Sequence, residues 1–323
     1  ATGRPVEVPE ARYGDEPVLI APTGWGGHNW HPMAFSPTSK LVFLPSQDIA
    51  ALYSEEAGFE FTAGFWNGGI DFEDLQFPDD PAATAEIMKT MTGQLVAWDP
   101  VGQREVWRYQ HAGPWNGGVL ATAGGVVFQG SSIGEFAAYD AATGERVWQF
   151  PAQTGIVAAP VSYAVDDQQH VAISAGWGSA FALFGGKGVA ALGQENHSRI
   201  LAFRRGGTAA LPTVETTAAA PFPEPPDSDA DEAQLLLGKD LYHERCGICH
   251  GMGAVSGGVL PDLRRLPHEK HEIWDDIVLG GMLRDIGMPA FGQIFSKEDS
   301  AAIQAFVIER SRHAFEVQST AAN

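Results

Sequence analysis

The sequence has few basic residues and no long apolar run. Its 20 Lys and Arg residues are outnumbered by 40 Asp and Glu residues, which gives the 323-residue chain a formal net charge of −20 at pH 7. A surface of this charge repels phosphate backbones and anionic lipid headgroups. Apolar runs, such as residues 235–237, are only a few residues long, whereas a helix needs ~20 apolar residues to cross a bilayer. The composition therefore argues against nucleic-acid binding and against a membrane span.

Cysteine is also scarce, since the chain contains only two, both within one pentapeptide. A disulfide-stabilised fold is thereby excluded. Apolar residues make up 44% of the chain, which is enough for packed cores and excludes general disorder. The length predicts about two domains, and the 38 Gly and 21 Pro residues favour short strands joined by turns. The first residues show neither a basic start nor an apolar stretch, so we expect either a mature chain or a missing upstream segment.

A repeat with a period of 41 residues occupies the middle of the chain. Residues 93–107 and 134–148 share an initial glycine, an Asp and a closing Trp, and the equivalent positions are 134 − 93 = 41 residues apart. A period of about 40 to 45 residues is typical of four-stranded propeller blades. Each unit predicts a strand, a turn and an outer strand. Trp107 and Trp148, which close the units, are expected to dock one blade on the next.

The inner half of each predicted blade recurs three times as a hairpin. The three hairpins are residues 32–35 with 41–44, 118–121 with 126–129, and 160–163 with 170–173. A further strand at residues 198–203 is predicted to begin a fourth blade, and residues 1–4 resemble the end of a repeat, so the chain is expected to start inside a blade. Propellers close with about four to eight blades. Residues 1–204 are therefore predicted to form about three to four blades of a larger ring, in a mainly β fold.

An acidic insertion of about 44 residues, 49–92, interrupts the repeat. It carries nine acidic residues and one basic residue, Lys89. Its aromatic residues predict that one side packs; these are Phe59, Phe61, Phe65 and Trp66. Long loops on rigid scaffolds often carry function, so the insertion is either an ornamental surface loop or a lid or partner-docking element.

A change of composition separates the repeats from a helical segment. Residues 205–231 are rich in Pro, Ala and acidic residues and predict a stiff linker. Residues 232–323 show helical periodicity and predict a small all-α domain. The expected helices are residues 232–244, 269–278 and 297–310. Ser296, followed three residues later by Asp299, has the pattern of a helix-capping box.

Cys246, Cys249 and His250 form a C-x-x-C-H motif, which is typical of covalent c-type haem attachment. The two thiols add to the haem vinyl groups, and the imidazole ligates the iron. A zinc site would need further ligands in a chain with no other Cys. A thioredoxin-like dithiol would need a preceding strand, which this segment does not offer. Because such haem attachment takes place outside the cytoplasm, a periplasmic location is expected.

The second axial iron ligand is expected to be a methionine, since a thioether raises the reduction potential in electron carriers. Met252 lies too close to His250 to reach the opposite haem face. Met288 is favoured because Gly287 and Pro289 hold it in an extended loop, whereas Met282 follows a helix and is expected to pack. The carbonyl of Pro261 is predicted to accept the other ring proton of His250.

The Asp-x-x-Thr-Gly-x-x-x-Trp repeat at residues 140–148, joined by a Pro-rich linker to a haem domain, resembles the quinohaemoprotein alcohol dehydrogenases. Further matches are residues 27–33 (GHNWHPM), 115–118 (WNGG), 175–178 (AGWG) and 287–291 (GMPAF). The resemblance implies a periplasmic enzyme that uses pyrroloquinoline quinone and calcium in an eight-bladed propeller and passes electrons to a fused cytochrome c domain. It covers only the C-terminal half of the family's length.

By this resemblance, Asn29 and Trp30 contact the quinone, with Trp177 and Gly178 close by. Trp115 lines the alcohol pocket, although Trp115 and Trp177 are equally well explained as packing residues. The family's calcium ligands, catalytic Asp and adjacent Cys pair belong to the N-terminal half and have no counterpart here. No catalytic residue is therefore assigned in this chain.

Two functions are compatible with these patterns. In the first, the chain is the C-terminal portion of the enzyme, whose partners are an N-terminal propeller half, a small alcohol and an external electron acceptor such as a small cytochrome, a copper protein or a quinone. In the second, it is an electron-transfer component that oxidises no alcohol. The other histidines are assigned no ligand role: His28 and His31 are not expected to form a metal pair. Four further histidines are expected at the surface of the haem domain, namely His243, His268, His271 and His313.

Overall fold

The computed structural model describes residues 3–4, 6–63, 67–72, 74–215 and 220–321. The chain forms two compact units. The β unit consists of Ala1–Glu60, Gly68–Phe181 and Gly188–Glu215, and the helical unit of Phe61–Asn67, Ala182–Lys187 and Thr216–Asn323. Phe65 and Trp66 of the insertion, and the first two residues of the predicted blade fragment at 1–4, lie outside the described residues.

The β unit is built from antiparallel sheets in which strands adjacent in the chain are neighbours, except that β4 lies between β3 and β5 in the chain and pairs with β1. Its strands are β1 (Val18–Ile20), β2 (Ala34–Ser36), β3 (Leu41–Asp48), β4 (Ala51–Tyr53), β5 (Thr92–Asp99), β6 (Arg104–His111), β7 (Val119–Ala121), β8 (Val126–Gly130), β9 (Glu135–Asp140), β10 (Arg146–Pro151), β11 (Val161–Val165), β12 (Gln168–Ala175) and β13 (Arg199–Arg204). The sheet orders are β2-β3-β5-β6, β7-β8-β9-β10 and β11-β12-β13, and β1 pairs with β4. The predicted partial propeller is therefore confirmed.

The expectation that residues 198–203 begin a fourth blade is wrong. Strand β13 pairs antiparallel with β12 from Arg199 to Arg204 and completes the third sheet. Two short helices, α2 (Ala180–Phe184) and α3 (Gly186–Ala191), lie between these two strands in the chain. This long connection hid the pairing, because the second sheet joins the equivalent strands, β8 and β9, by a short turn.

The sheets stack face to face through two apolar layers. Buried side chains of the first and second sheets, including Phe43, Leu95 and Tyr139, share one cluster. Side chains of the second and third sheets, including Phe136 and Ile173, share another. Each sheet of the series is thus anchored to the next by burial of its apolar face, which is the dominant favourable contribution to such packing.

The repeat motif forms the hairpin and the contact between blades. Asp140 Oδ1 accepts hydrogen bonds from the backbone N–H groups of Ala142 and Thr143, both at 2.9 Å, and Gly144 adopts φ +75°, which glycine tolerates best. Trp107 of the first sheet donates from Nε1 to Ala141 O of the second at 3.1 Å. The predicted docking role of Trp107 is confirmed, and that of Trp148 likewise, since its ring packs edge-on against Phe203 of the third sheet at 5.2 Å.

The acidic insertion contains strand β4 and helix α1 (Pro81–Thr90). The Asp80 side chain caps this helix by accepting from Ala82 N at 3.0 Å, and Met88 anchors it to the interior. The expectation that its aromatic residues pack on one side is wrong for Phe59 and Phe61, whose side chains are exposed. Phe59 and Phe61 lie outside any helix or strand, so no regular spacing turns them to one face.

A buried histidine joins the first two sheets and predicts an acid-sensitive β unit. His111 Nε2–H donates to Gln129 Oε1 at 2.9 Å, and Gln129 Nε2 donates to Gly117 O at 2.8 Å. Burial lowers the pKa of His111 from 6.5 to about 4, although its hydrogen bond to Gln129 opposes this effect. Above pH 6.5 the ring is neutral in both folded and unfolded states, so stability is fully present there. Between pH 6.5 and about 4 only the unfolded state takes up the proton, which costs the fold roughly 3 kcal/mol.

We therefore expect His111→Gln to remove most of this acid loss, because glutamine can still donate to Gln129 and does not titrate. The check is urea unfolding at pH 7 and pH 4, followed by tryptophan fluorescence. His170→Gln, at a partly exposed position on β12, is the matched control and should keep the parental loss. Equal losses in the parent and His111→Gln would contradict the assignment.

The helical unit contains a set of short helices and one long one. The helices are α4 (Glu232–Arg245), α5 (Gly247–His250), α6 (His268–Glu272), α7 (Trp274–Val278) and α8 (Lys297–Ala321). Their core includes Tyr242, Trp274, Ile303 and Phe306. The predicted all-α domain is confirmed. Within the described part of the chain, none of the helices is both long enough and apolar enough to cross a membrane.

Two helix boundaries differ from the sequence-based prediction. Residues 269–278 form two helices, because Ile273 leaves the helical region with φ −105° and ψ 21°. Helix α8 continues past Arg310 to Ala321, since no Pro or Gly interrupts residues 311–321. The capping box at its start is confirmed: Asp299 N donates to Ser296 Oγ at 3.1 Å, and Ser296 N donates to Asp299 Oδ2 at 2.8 Å.

Candidate functional site

The C-x-x-C-H motif occupies one helical turn at the end of α4. Cys246 N donates to Tyr242 O at 2.7 Å, and His250 N donates to Cys246 O at 2.9 Å. The next residue, Gly251, has φ +84° and ends the turn, and its carbonyl accepts from the Tyr242 hydroxyl at 2.9 Å. This continuous backbone ladder carries both thiols and the imidazole on α5 and its N-cap. The three residues of the motif, Cys246, Cys249 and His250, therefore lie together on a single helical turn.

The ring of His250 is fixed by a backbone carbonyl. Its Nδ1 lies 3.2 Å from Pro261 O, which confirms the hydrogen bond predicted from the sequence. Burial lowers the pKa of His250, while the bond to Pro261 and the charge of Asp262 oppose this shift. The imidazole is therefore neutral at neutral pH, with Nδ1–H donating to Pro261 and Nε2 carrying the lone pair that an iron ion binds.

The two cysteines favour haem attachment over the alternatives. Both are free thiols, and burial, with a smaller effect from Cys249, raises the pKa of Cys246 to about 12. Burial also raises the pKa of Cys249. A redox-active dithiol requires a lowered thiol pKa, so the dithiol hypothesis is not supported. For zinc, no group of three or more His, Cys, Asp or Glu side chains among the described residues is arranged to hold a metal ion.

The three methionines that follow the C-x-x-C-H motif in the chain, Met252, Met282 and Met288, differ in how deeply they are buried. Met288 follows a short 3₁₀ turn at Arg284–Ile286 and packs, partly buried, against the same core as Cys246. Met252 is buried beside the motif. The expectation that Met282 packs is wrong: its side chain is 54% exposed, because the chain turns out of the core after α7. Met288 therefore remains the candidate ligand.

Two histidines expected at the surface are buried. His243 lies inside the helical unit, with Nδ1–H donating to Lys239 O at 2.8 Å and Nε2 accepting from Gly253 N at 3.1 Å. His271 is also buried and stacks on Trp274 at an interplanar angle of 8°. The surface assignment is wrong for both, because the helices that carry them turn these positions inward. His268 is exposed as expected.

The predicted quinone-contact segment lies in an aromatic cluster of the β unit. Trp30 stacks on His31 with ring centroids 4.4 Å apart, and His31 meets Trp115 edge-on at 5.0 Å. Trp115 in turn stacks on Phe181 at 5.7 Å. Trp30 remains 54% exposed, whereas Trp115 is 2% exposed. The cluster thus has a buried base and one exposed indole at its surface.

Three buried nitrogens of this region have no hydrogen-bond partner within the described part of the chain: His31 Nε2, Trp115 Nε1 and Trp177 Nε1. Buried donors normally have partners, and a quinone with carbonyl and carboxylate oxygens would supply acceptors. Burial lowers the pKa of His31 to about 4, with a further contribution from His28. This histidine is therefore neutral at pH 7. The residues present fit a planar, acceptor-rich cofactor.

The other residues predicted to contact the quinone are Asn29, Trp177 and Gly178. Asn29 is exposed, and its amide organises the loop: Nδ2 donates to Trp25 O at 2.9 Å, and Oδ1 accepts from Trp30 N at 2.8 Å. Gly178 lies at the surface. Trp177 is fully buried, and its backbone N–H donates to Asn196 at 3.0 Å. Its side chain is therefore enclosed, and burial by itself is compatible with both packing and a contact through the indole nitrogen.

Sequence reasoning missed two members of the cluster, Trp25 and Phe181. Their rings are 5.6 Å apart, although more than 150 residues separate them in the chain. Phe181 follows the Ala-Gly-Trp-Gly segment closely, which is the one signal that could have indicated it. No short-range pattern points to Trp25.

Comparison with known proteins gives two family matches. Residues 89–222 match the family model described as outer membrane protein assembly factor BamB. Residues 233–307 match the model described as cytochrome C oxidase, cbb3-type, subunit III. The first match covers the second and third sheets, and the second covers the segment with the C-x-x-C-H motif.

Whole-chain relatives are also found. The chain is 42% identical over 310 residues to the quinohemoprotein alcohol dehydrogenase ADH IIB of Pseudomonas putida, which covers 96% of this chain and 44% of the relative. The solved structure of the quinohemoprotein alcohol dehydrogenase ADHIIG from Pseudomonas putida HK5 matches with a TM-score of 0.81 at 37% identity, over 94% of this chain and 44% of that one. The quinohemoprotein alcohol dehydrogenase from Comamonas testosteroni matches with a TM-score of 0.71 at 32% identity, over 96% and 45%. The chain spans less than half the length of these relatives.

Proposed function

Because the chain is homologous along nearly its whole length to the C-terminal part of the quinohaemoprotein alcohol dehydrogenases, we propose that it is the C-terminal portion of such an enzyme. The complete enzyme would oxidise an alcohol at pyrroloquinoline quinone and release the electrons singly through haem c. The proposal includes a periplasmic location, because haem attachment of this type occurs outside the cytoplasm.

The observation that carries the proposal is the geometry around His250. Cys246, Cys249 and His250 share one helical turn, and the Pro261 carbonyl holds His250 Nδ1 at 3.2 Å. These residues would hold a haem through two thioether bonds and one bond from the imidazole nitrogen to the iron. We assign Cys246 and Cys249 to haem attachment, and His250 and Met288 to the iron.

The bound groups would supply hydride chemistry at the quinone and one-electron chemistry at the haem, while the protein supplies binding and orientation. Pro261 fixes the tautomer and the plane of the His250 ring. In the β unit, Asn29 organises the loop that presents Trp30. His31, which is neutral, supports the Trp30 ring by stacking at 4.4 Å.

We assign quinone binding to Asn29, Trp30, Trp177 and Gly178. Trp30 and Gly178 lie at the surface and can contact the cofactor directly. Trp177 is buried, and its indole nitrogen has no partner among the described residues. Trp177 therefore forms the polar base of the site.

The remaining parts of the enzyme are assigned to a partner. An N-terminal propeller half, either separate or fused, would supply calcium ligands and the catalytic Asp. The external acceptor would be a small cytochrome, a copper protein or a quinone, and the substrate a small alcohol. The alternative function is electron transfer without alcohol oxidation, which the turn with Cys246, Cys249 and His250 would serve equally well.

The test compares haem reduction by the purified chain with and without an N-terminal half that bears the calcium carboxylates and the Cys pair. With quinone and calcium added, we expect alcohol to reduce the haem only when both halves are present, while dithionite reduces it in either case. Alcohol-driven reduction by this chain alone would show that the active site is wrongly placed. Failure of the reconstituted pair, with intact dithionite reduction, would favour the electron-transfer alternative.

A further inference from the structure

The Pro-rich segment of residues 220–226 (APFPEPP), here termed the strap, is bound along the helical unit. Its contacts occur at every second residue. Ala220 O accepts from Arg265 Nη1, Phe222 N donates to Gln318 Oε1 at 2.9 Å, Glu224 O bonds to His268 Nε2 at 2.9 Å, and Pro226 O accepts from Arg312 Nη2 at 3.2 Å. The strap is thus an extended peptide docked by its backbone.

The chemistry of the strap matches the surface that binds it. Four of its seven residues are proline and lack a backbone N–H, so the strap offers mainly carbonyl acceptors. The helical unit meets three of these carbonyls with arginine and histidine donors. Proline also restricts the unbound conformations, which reduces the entropy lost on docking.

Phe222 is the one aromatic side chain of the strap, and two guanidinium groups contact its ring. The centre of Arg265 is 3.8 Å from the ring centroid and that of Arg264 is 5.0 Å. Both distances are within the range of favourable cation–π contact. Both arginines belong to the short 3₁₀ turn Leu263–Arg265, so the Phe222 side chain contacts this turn, while its backbone N–H is bound by Gln318 of α8.

The same turn is connected to the iron-ligand candidate. Arg264 donates to both carboxylate oxygens of Asp262, at 3.0 and 2.7 Å, and its backbone N–H donates to Asp262 Oδ1 at 3.0 Å. Asp262 directly follows Pro261, whose carbonyl lies 3.2 Å from His250 Nδ1. Three successive contacts therefore link Phe222 to the ring of His250.

We propose that the strap is a positioning element for His250, acting through Arg264 and Asp262 to hold the Pro261 carbonyl against Nδ1. This inference rests on the proposed haem c function. A hydrogen bond at Nδ1 makes the imidazole more basic and stabilises ferric iron. Release of the strap weakens that bond and raises the reduction potential, although no charge has been changed.

The test is the haem reduction potential of the full chain in Phe222→Ala, with Phe222→Trp as the conservative variant. We expect Phe222→Ala to raise the equilibrium constant for reduction about tenfold, which is about 59 mV for one electron. Phe222→Trp, which keeps an aromatic face for the arginines, should retain the parental potential. Phe61→Ala removes the same side chain at a position that is 76% exposed and should also leave it unchanged.

A second readout follows the turn itself. Amide hydrogen exchange at residues 264–266 should be faster in Phe222→Ala than in the parent and unchanged in Phe61→Ala. A parental potential and parental exchange in Phe222→Ala would overturn the proposal. A parent chain without haem c in the pyridine haemochrome assay would instead refute the proposed function, so the two failures are distinguishable.

Discussion

Replacing both Cys246 and Cys249 by serine is expected to abolish covalent haem attachment completely. The two thiols are the only cysteines in the chain, and serine cannot form a thioether with a haem vinyl group. The measurement is haem staining after denaturing electrophoresis, together with the mass of the intact chain. The parent should carry one haem and the double variant none.

Each single variant provides the control for this loss. Cys246→Ser and Cys249→Ser should each retain one thioether, which leaves one vinyl group unsaturated and shifts the pyridine haemochrome band relative to the parent. A parent that contains one equivalent of zinc in place of haem would establish the metal-site alternative. A zinc site would need ligands from outside the described residues, because the described residues contain no group of three or more His, Cys, Asp or Glu side chains that could hold a metal ion.

Met288→Ala is expected to remove the long-wavelength sulfur-to-iron charge-transfer band and to lower the haem reduction potential by on the order of 0.1 V. Axial ligands span a range of about 0.8 V in haem proteins, and a thioether favours ferrous iron. Met288 is the methionine that packs, partly buried, against the same core as Cys246. Absorption spectra of the oxidised chain and a redox titration measure the two effects.

Met282→Ala is the matched control, since the Met282 side chain is 54% exposed. It should keep both the band and the potential. If the band survives in Met288→Ala and disappears in Met282→Ala, the sixth ligand is Met282 and the loop after the 3₁₀ turn is wrongly assigned.

Features that depend on neighbouring residues could be predicted from the sequence. Asp140 and Gly144 determine their hairpin through bonds to adjacent amides and a positive φ, so the 41-residue repeat indicated blades directly. The spacing of Cys246, Cys249 and His250 likewise places all three on one helical turn. The capping pair at Ser296 is equally local. In each case the partners lie within a few residues, so the pattern contains the whole interaction.

Features that depend on residues far apart in the sequence could not be predicted from it. The burial of His243 and His271 was missed because it depends on packing among helices that the sequence treats separately. Strand β13 was assigned to a new blade because its partner β12 lies beyond two inserted helices. The aromatic cluster requires Trp25 and Phe181 to meet.

The amino-acid sequence by itself determined the repeat architecture and the residues of the haem-attachment turn, because both arise from short-range spacing and backbone geometry. Only the tertiary structure decided that Phe222 rests on Arg264 and Arg265, more than 40 residues away. The physical reason is that these contacts form through burial and through donor–acceptor pairing across the folded surface. Neither burial nor donor–acceptor pairing of this kind produces a periodic pattern in the sequence.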